Sequence, residues 1–388
     1  MKALLILVGG RPIPNILTVI HEKPDKIVAV CSHESKEDEW VQLRQAIERL
    51  SPASTVEETD TIDAFDCEMI KEVCTRAFSQ YPRADWVFNA TAATSLMTLG
   101  AYMAAEHCAK LDNASVQCWY LDTAHSRVVS LIGSKRDNSI FSIEVEQYVE
   151  AYNYRLQPAS GTKNYQLHFL QENWKAFARR LGKNFWEIDL LRQILLKASA
   201  KRYNEVTNTA DKRQFLQELG EIGLVRNLSE NVSNLRFYLS DEQYQFLNGA
   251  WLEIYVFQEA KSVTFFDNVE WSKEIIDNDP SRTVKFPVKF NEMDVAITYK
   301  AHLMIVECKT GNAGLETKTL DDIVTVADLV GRGFVVKVVV TSKSSSDASD
   351  DFKTKARIKG IHIVTLEDLP RIGIILGELA EKSMYSRR

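Results

Sequence analysis

Short apolar runs alternate with stretches of helical spacing along the first part of the chain. Leu4–Val8, Ile27–Cys31, Trp86–Phe88 and Val116–Leu121 are continuous enough to be strands buried on both faces. Between them, Ile13–Ile20, Glu37–Leu50, Phe65–Ser79 and Ser95–Ala109 carry apolar side chains at the spacing of one helix face. Such alternation predicts a mostly parallel sheet with helices on both sides. Val128–Ile132 and Ile140–Val145 read as a hairpin closing that sheet.

The polar stretch Gln157-Pro158-Ala159-Ser160-Gly161-Thr162-Lys163 marks a first boundary, placing one domain at residues 1–156. Residues 157–240 follow, mainly helical in pattern, with Leu228–Asn234 polar and Leu235–Leu239 a strand. They form either a plain helical connector or a small winged-helix-like module. Residues 241–388 are a third unit. Its pattern is a helix through Phe246–Phe257, strands at Thr283–Phe290, Met293–Tyr299 and Leu303–Lys309, a helix through Leu320–Val330, and strands Phe334–Thr341 and Ile361–Thr365. The expected class is α/β throughout.

Charge narrows the function only a little. The chain is −6 overall, so any nucleic-acid contact has to come from a local basic patch or a bound metal. The run Lys353-Thr354-Lys355-Ala356-Arg357-Ile358-Lys359 is one such patch, or simply a solvated helix face. Six scattered cysteines without a CxxC pair argue against a zinc ribbon or a disulfide framework, and fit a reducing cytoplasm. The opening Leu4–Val8 run is too short for a secretion signal, and no segment approaches the ~20 apolar residues of a membrane span. The expectation is a cytoplasmic protein with no membrane partner.

Two strands of the third unit carry charges where a core wants none. In Leu303–Lys309 the period of two puts Ile305, Glu307 and Lys309 on one face. Asp294 interrupts the otherwise apolar Met293–Ile297. A two-residue turn at Lys300-Ala301 sets Tyr299 against His302 and, counting back, Asp294 against Glu307. Like charges in that position destabilise a sheet unless a cation sits between them. Two hard carboxylates suit Mn2+ or Mg2+, which polarises a phosphate and activates water. Lys309 points to the same place, ready to orient the water or offset transition-state charge. A sheet-edge ion pair of Glu307 with Lys309 is the bland alternative, and it leaves Asp294 unexplained.

Asp294 followed by Glu307-Cys308-Lys309 resembles the signature of the PD-(D/E)xK nucleases. That resemblance implies a metal-dependent phosphodiesterase whose core runs helix, meander, helix, strand. It also implies a further metal contact at Glu253, on the first helix of the unit.

In the first domain no GxGxxG follows the opening strand, which argues against a dinucleotide cofactor. Ligands in such sheets bind beyond the strand ends, where two segments fall: Gly9-Gly10-Arg11-Pro12-Ile13-Pro14-Asn15 and Asn89-Ala90-Thr91-Ala92-Ala93-Thr94-Ser95. The small residues and hydroxyls of the second serve either a phosphate or the cap of the next helix. Taken whole, the chain resembles the CRISPR type III ancillary effector nucleases, in which a Rossmann-like CARF sensor is fused to a PD-(D/E)xK nuclease. The resemblance implies a nucleic-acid substrate, DNA or RNA, and activation in antiviral defence by a cyclic oligoadenylate such as cyclic tetra-adenylate. The implied contacts are Gly10, Arg11, Pro12, Ile13, Asn15, Asn89, Thr91, Thr94 and Ser95. Where the family often has Asn-x-Thr-Gly-Gly-Thr-Lys, this chain has Ala92, Ala93 and Ser95 for the two glycines and the lysine. A symmetric ligand also implies a homodimer. The competing reading is a ligand-sensing regulator that binds DNA through the middle module and has an inactive nuclease domain.

Overall fold

The computed structural model describes residues 1–111, 115–122, 127–133, 142–159, 166–278, 291–311, 315–331 and 334–385. The first sheet contains β1 (Lys2–Leu7), β2 (Lys26–Val30), β3 (Thr55–Glu58), β4 (Asp85–Asn89), β5 (Ser115–Asp122) and β6 (Arg127–Ile132). Its order is β3-β2-β1-β4-β5-β6, parallel as far as β5. The expected Rossmann-like sheet is therefore present. Leu4 and Ile6 of β1 face one apolar cluster, while Ala3, Leu5 and Leu7 face another, so the strand is apolar at every position after Lys2. The closing hairpin differs from expectation. β6 folds back antiparallel on β5, and Val145 opens the helix Val145–Glu150; Ile140 and Phe141 lie outside the described residues.

The middle module has helices at Glu172–Gly182 and Phe185–Leu195, then β8 (Arg202–Thr207), a helix at Ala210–Glu221, β9 (Arg226–Glu230) and β10 (Asn234–Leu239). The three strands form an antiparallel sheet in the order β8-β10-β9, so the region holds a small sheet as well as helices. Two of its strands were hidden in sequence. β8 turns Asn204 inward, where its side-chain amide donates to Ser199 O and Arg202 O, so the apolar alternation is broken. β9 has Leu228 as its single large apolar residue.

The last sheet has the order β15-β14-β13-β12-β11-β7. Its strands are β7 (Tyr154–Pro158), β11 (Asn268–Asp277), β12 (Asn291–Tyr299), β13 (His302–Lys309), β14 (Val336–Thr341) and β15 (Ile361–Val364). β7 precedes the middle module in sequence yet pairs with β11, so a division at residues 156 and 157 cuts through a strand of this sheet. The strand that pairs with β12 is β11, where Glu270, Lys273 and Glu274 conceal the pattern. The expected strand Thr283–Phe290 lies outside the described residues. One face of the sheet packs on the helices Trp251–Lys261 and Ile372–Tyr385, the other on Thr317–Leu329. The second face shares one apolar cluster with the first domain, in which Leu4 and Ile6 join Ile305, Leu320 and Val339. All six cysteines are free thiols. Among the described residues no helix is long and apolar enough to cross a membrane.

Candidate active site and ligand cavity

The β12–β13 turn fixes the catalytic candidates. Lys300 and Ala301 both have positive φ, 46° and 69°, the backbone of a tight hairpin turn, although neither is the usual Asn or Gly. The ladder then runs from Tyr299 opposite His302 to Val295 opposite Val306, the register expected from sequence. Beyond its end, Asp294 Oδ2 accepts the Cys308 N–H at 2.6 Å. Lys309 Nζ stands 3.7 Å from Asp294 Oδ2 and pairs with Glu307 Oε1. Asp294, Glu307 and Lys309 are thus gathered at one point.

Glu253 comes to the same place from the Trp251–Lys261 helix. A π-helical turn at Phe246–Ala250 leads into that helix. Its Asn248 carbonyl accepts Thr310 Oγ1 at 2.5 Å, which ties the helix to the end of β13. Glu253 Oε2 accepts the Trp271 indole N–H at 3.2 Å. Glu292, which the sequence reading did not single out, also faces Asp294. Its Oε1 accepts Ser272 Oγ at 3.1 Å. Ser272 has φ 50° in the middle of β11 and interrupts the β11–β12 pairing opposite Asp294. The signal for Glu292 was available: it lies two residues before Asp294, hence on the same side of the strand.

Four carboxylates and one lysine share this buried space, and their proton affinities show the strain. Burial, then the neighbouring Asp294 and Glu292 charges, hold Glu253 well above the usual carboxylate range. Burial and Asp294 push Glu307 up to about 8 and Glu292 up to about 6. Asp294 is raised by burial, against the pull of Lys309 and the Cys308 N–H. Burial pulls Lys309 down, but Asp294 and Glu307 outweigh it and leave it raised. Carboxyl groups outnumber the one lysine, and desolvated carboxylates are costly without a counter-charge, so they hold protons instead.

The donor set suits a hard divalent cation: four oxygen-bearing side chains, no thiolate and no imidazole. As the side chains stand, no three His, Cys, Asp or Glu groups among the described residues are close enough together to hold an ion. Lys309 bridges Asp294 and Glu307 instead, supplying the cation that the pair requires.

In the first domain, two loops meet where Gly9 passes Ala92. A Cβ on Gly9 would lie 2.5 Å from Ala92 O, so this approach needs glycine. Ala92 and Ala93 need no positive φ, and alanine serves there. Gly10, Arg11, Thr91 and Thr94 line a cavity of about 970 Å³. Pro12, Ile13, Asn15, Asn89 and Ser95 do not. Pro12 caps the Ile13–Glu22 helix and Ile13 is core, whereas Ser95 is exposed on the Ser95–Ala109 helix. Asn15 Nδ2 donates to Leu7 O at 2.9 Å. Asn89 Nδ2 donates to Pro14 O and Thr18 Oγ1 at 2.7 and 2.8 Å, and its Oδ1 accepts Thr91 N–H. These two buried amides shape the loops. Thr91 Oγ1 accepts Leu121 N–H, and Thr94 Oγ1 caps its helix by accepting Met97 N–H. The far wall of the cavity includes Tyr152 and Phe334, with the Arg11 guanidinium 4.1 Å above the Phe334 ring. No sequence signal had paired these residues with the loops.

Comparison with known proteins gives the site a context. Residues 3–148 match the family model of the Card1 CARF domain, and residues 240–382 that of the Card1-like endonuclease domain. No curated protein matches in sequence. Among solved structures, Can2 from Sulfobacillus thermosulfidooxidans in complex with cyclic tetra-adenylate superposes with a TM-score of 0.72 at 19% identity. The match covers 98% of this chain and 97% of that one. Protein VC1899 from Vibrio cholerae gives 0.70 at 17% identity, over 99% and 98%. A type III CRISPR defence DNA nuclease activated by cyclic oligoadenylate gives 0.52 at 16% identity, over 88% of this chain and 45% of that one. These likenesses establish the common fold.

Proposed function

The chain joins a Card1 CARF domain to a Card1-like endonuclease domain and so belongs to the CRISPR-associated CARF effector nucleases; from that premise we propose a metal-dependent nuclease activated by a cyclic oligoadenylate. The observation that carries the reading is the surplus of buried carboxylate at Asp294, Glu307, Glu253 and Glu292 beside a single lysine.

Asp294 and Glu307 would hold Mn2+ or Mg2+, with Glu253 and Glu292 completing the acidic wall, and the ion would supply polarisation of the scissile phosphate and a more acidic attacking water. The Cys308 N–H fixes Asp294, and the Trp271 indole fixes Glu253, so the carboxylates are oriented before substrate arrives. Lys309, beside both carboxylates, would orient the attacking water and offset charge developing on the phosphate. The activator occupies the cavity lined by Arg11, Thr91 and Thr94, with Arg11 meeting a phosphate. A ring-shaped activator is shared by two copies of the chain across a two-fold axis.

The test is cleavage of labelled single- and double-stranded DNA and RNA with Mn2+, with and without cyclic tetra-adenylate, beside Glu307→Ala. Cutting that needs metal and Glu307 and rises with the nucleotide is the expected result. Cutting that ignores the nucleotide removes the activator. No cutting by folded protein moves the function to ligand-sensing regulation.

A further inference from the structure

The middle module differs in charge from the rest of the molecule. Residues 166–240 carry twelve Lys and Arg against eight Asp and Glu, a net of +4 in a chain of −6. Its small sheet has two unlike faces. Inward go Val206, Leu235, Phe237 and Leu239, enough to anchor the strands on the helices behind. Outward go Tyr203, Tyr238 and Arg236. Tyr203 is 46% exposed, so its ring lies open on the solvent side. The two tyrosines stand opposite each other on β8 and β10, ring centroids 5.5 Å apart. The Arg236 guanidinium lies 4.4 Å over the Tyr203 ring, and Arg226 pairs across from Tyr238. Asn227 Nδ2 donates to the Tyr203 hydroxyl at 3.2 Å. Glu205, 4.0 Å from Arg236, is the one acid of this cluster.

An exposed tyrosine with a guanidinium over its ring and a second, half-buried tyrosine beside it match nucleic acid whose bases are unstacked, with the ring for a base and the arginines for phosphates. A duplex fits less well. The helix Ala210–Glu221, which a winged-helix fold would lay in a groove, exposes Asp211 and Glu221 beside Arg213, with Lys212 and Glu218 half-buried. Glu230 on the wing pairs with Arg213 at 2.9 Å, and Glu218 with Arg180 at 3.1 Å. The basic run at Lys353–Lys359 is weaker still, because Lys355 and Lys359 pair with Asp351 and Asp321.

The module is also tied to the catalytic strand. Arg192 donates to Ser342 O, and Ser342 Oγ donates to the carbonyl of Thr310, the residue after Lys309. We propose that the outer face of the β8-β10-β9 sheet, centred on Tyr203, Tyr238 and Arg236, is a stacking platform for single-stranded nucleic acid. It delivers the strand to the Asp294–Glu307 centre, and only this delivery rests on the nuclease reading.

The experiment measures binding of fluorescein-labelled oligothymidylate and oligouridylate to the full chain by anisotropy in EDTA, where no cleavage intervenes. Tyr203→Leu lowers affinity about tenfold, the scale of one lost base–aromatic stack. Tyr203→Phe keeps the ring and binds like the native chain. Arg236→Gln, a change at an exposed position, also weakens binding, and it serves as the check if Tyr203→Leu lowers the melting temperature. A duplex of the same length binds more weakly and ignores all three changes. Native affinity in folded Tyr203→Leu and Arg236→Gln overturns the platform, as does a tighter duplex whose binding responds to them. A chain that binds through Tyr203 but never cuts keeps the platform and removes the nuclease reading. A chain whose cutting and binding are both untouched by these variants does the reverse.

Discussion

At the scale of single residues, Glu307 links stability to pH. Its pKa rises on folding from 4.5 to about 8, chiefly by burial, so the folded metal-free protein binds a proton that the unfolded chain releases. That contribution is complete below pH 4.5 and is lost as pH rises through about 8. The melting temperature of the EDTA-treated protein is therefore expected to fall over this window, and Glu307→Gln to flatten the dependence. A melting temperature that rises with pH instead contradicts the assignment of Glu307 as a buried, raised carboxylate. Lys309 has a different role. If Lys309 donates to the transition state as proposed, Lys309→Ala is expected to lower cleavage by about 10²–10³-fold while Mn2+ still binds. Equal loss of metal binding and cleavage would make Lys309 a structural counter-ion only.

At the scale of elements, the β12–β13 hairpin was the most legible part of the chain. Its apolar alternation fixes the register, and a charge on the wrong face stands out against it. β11 and β8 were illegible for the opposite reason: each carries polar residues at inward positions, Glu274 and Asn204, that are satisfied by partners far in sequence or around a turn. Glu292 was missed although its spacing from Asp294 gave it away. In the first domain, the motif residues were visible but their work was not. Asn89 has the look of a ligand contact, yet its amide joins β4 to the Ile13–Glu22 helix. Asn89→Ala removes two buried hydrogen bonds and the acceptor of the Thr91 N–H, while Pro14 O and Thr18 Oγ1 keep their bond to each other, so a loss of about 1–3 kcal/mol in urea unfolding is expected. A loss confined to nucleotide affinity, with stability unchanged, would return Asn89 to the ligand.

At the scale of the whole molecule, sensor and nuclease share a core and a cavity. Leu4 and Ile6 lie in the same apolar cluster as Ile305 and Val339, so the two sheets are packed parts of one body. Arg11 of the sensor loop stacks on Phe334, just ahead of β14, and Val339 and Thr341 of β14 pair with Glu307 and Lys309. A ligand phosphate that draws Arg11 away would break its contact with Phe334, two residues before β14. Phe334→Ala is expected to alter the stimulation by cyclic tetra-adenylate about threefold to thirtyfold, the worth of a desolvated cation–π contact. Cleavage without nucleotide stays unchanged in that variant, and a stimulation ratio identical to the native one would remove Phe334 from the coupling. What the proposed nuclease requires is a divalent cation at the Asp294–Glu307 centre. That requirement is tested by titrating Mn2+ into the metal-free full chain at pH 8 in a calorimeter, beside Asp294→Asn. Saturable binding with proton release is expected in the native protein, and none in the variant, if that centre holds the ion. A folded native chain that takes up no Mn2+, or takes it up equally well without the Asp294 carboxylate, contradicts it.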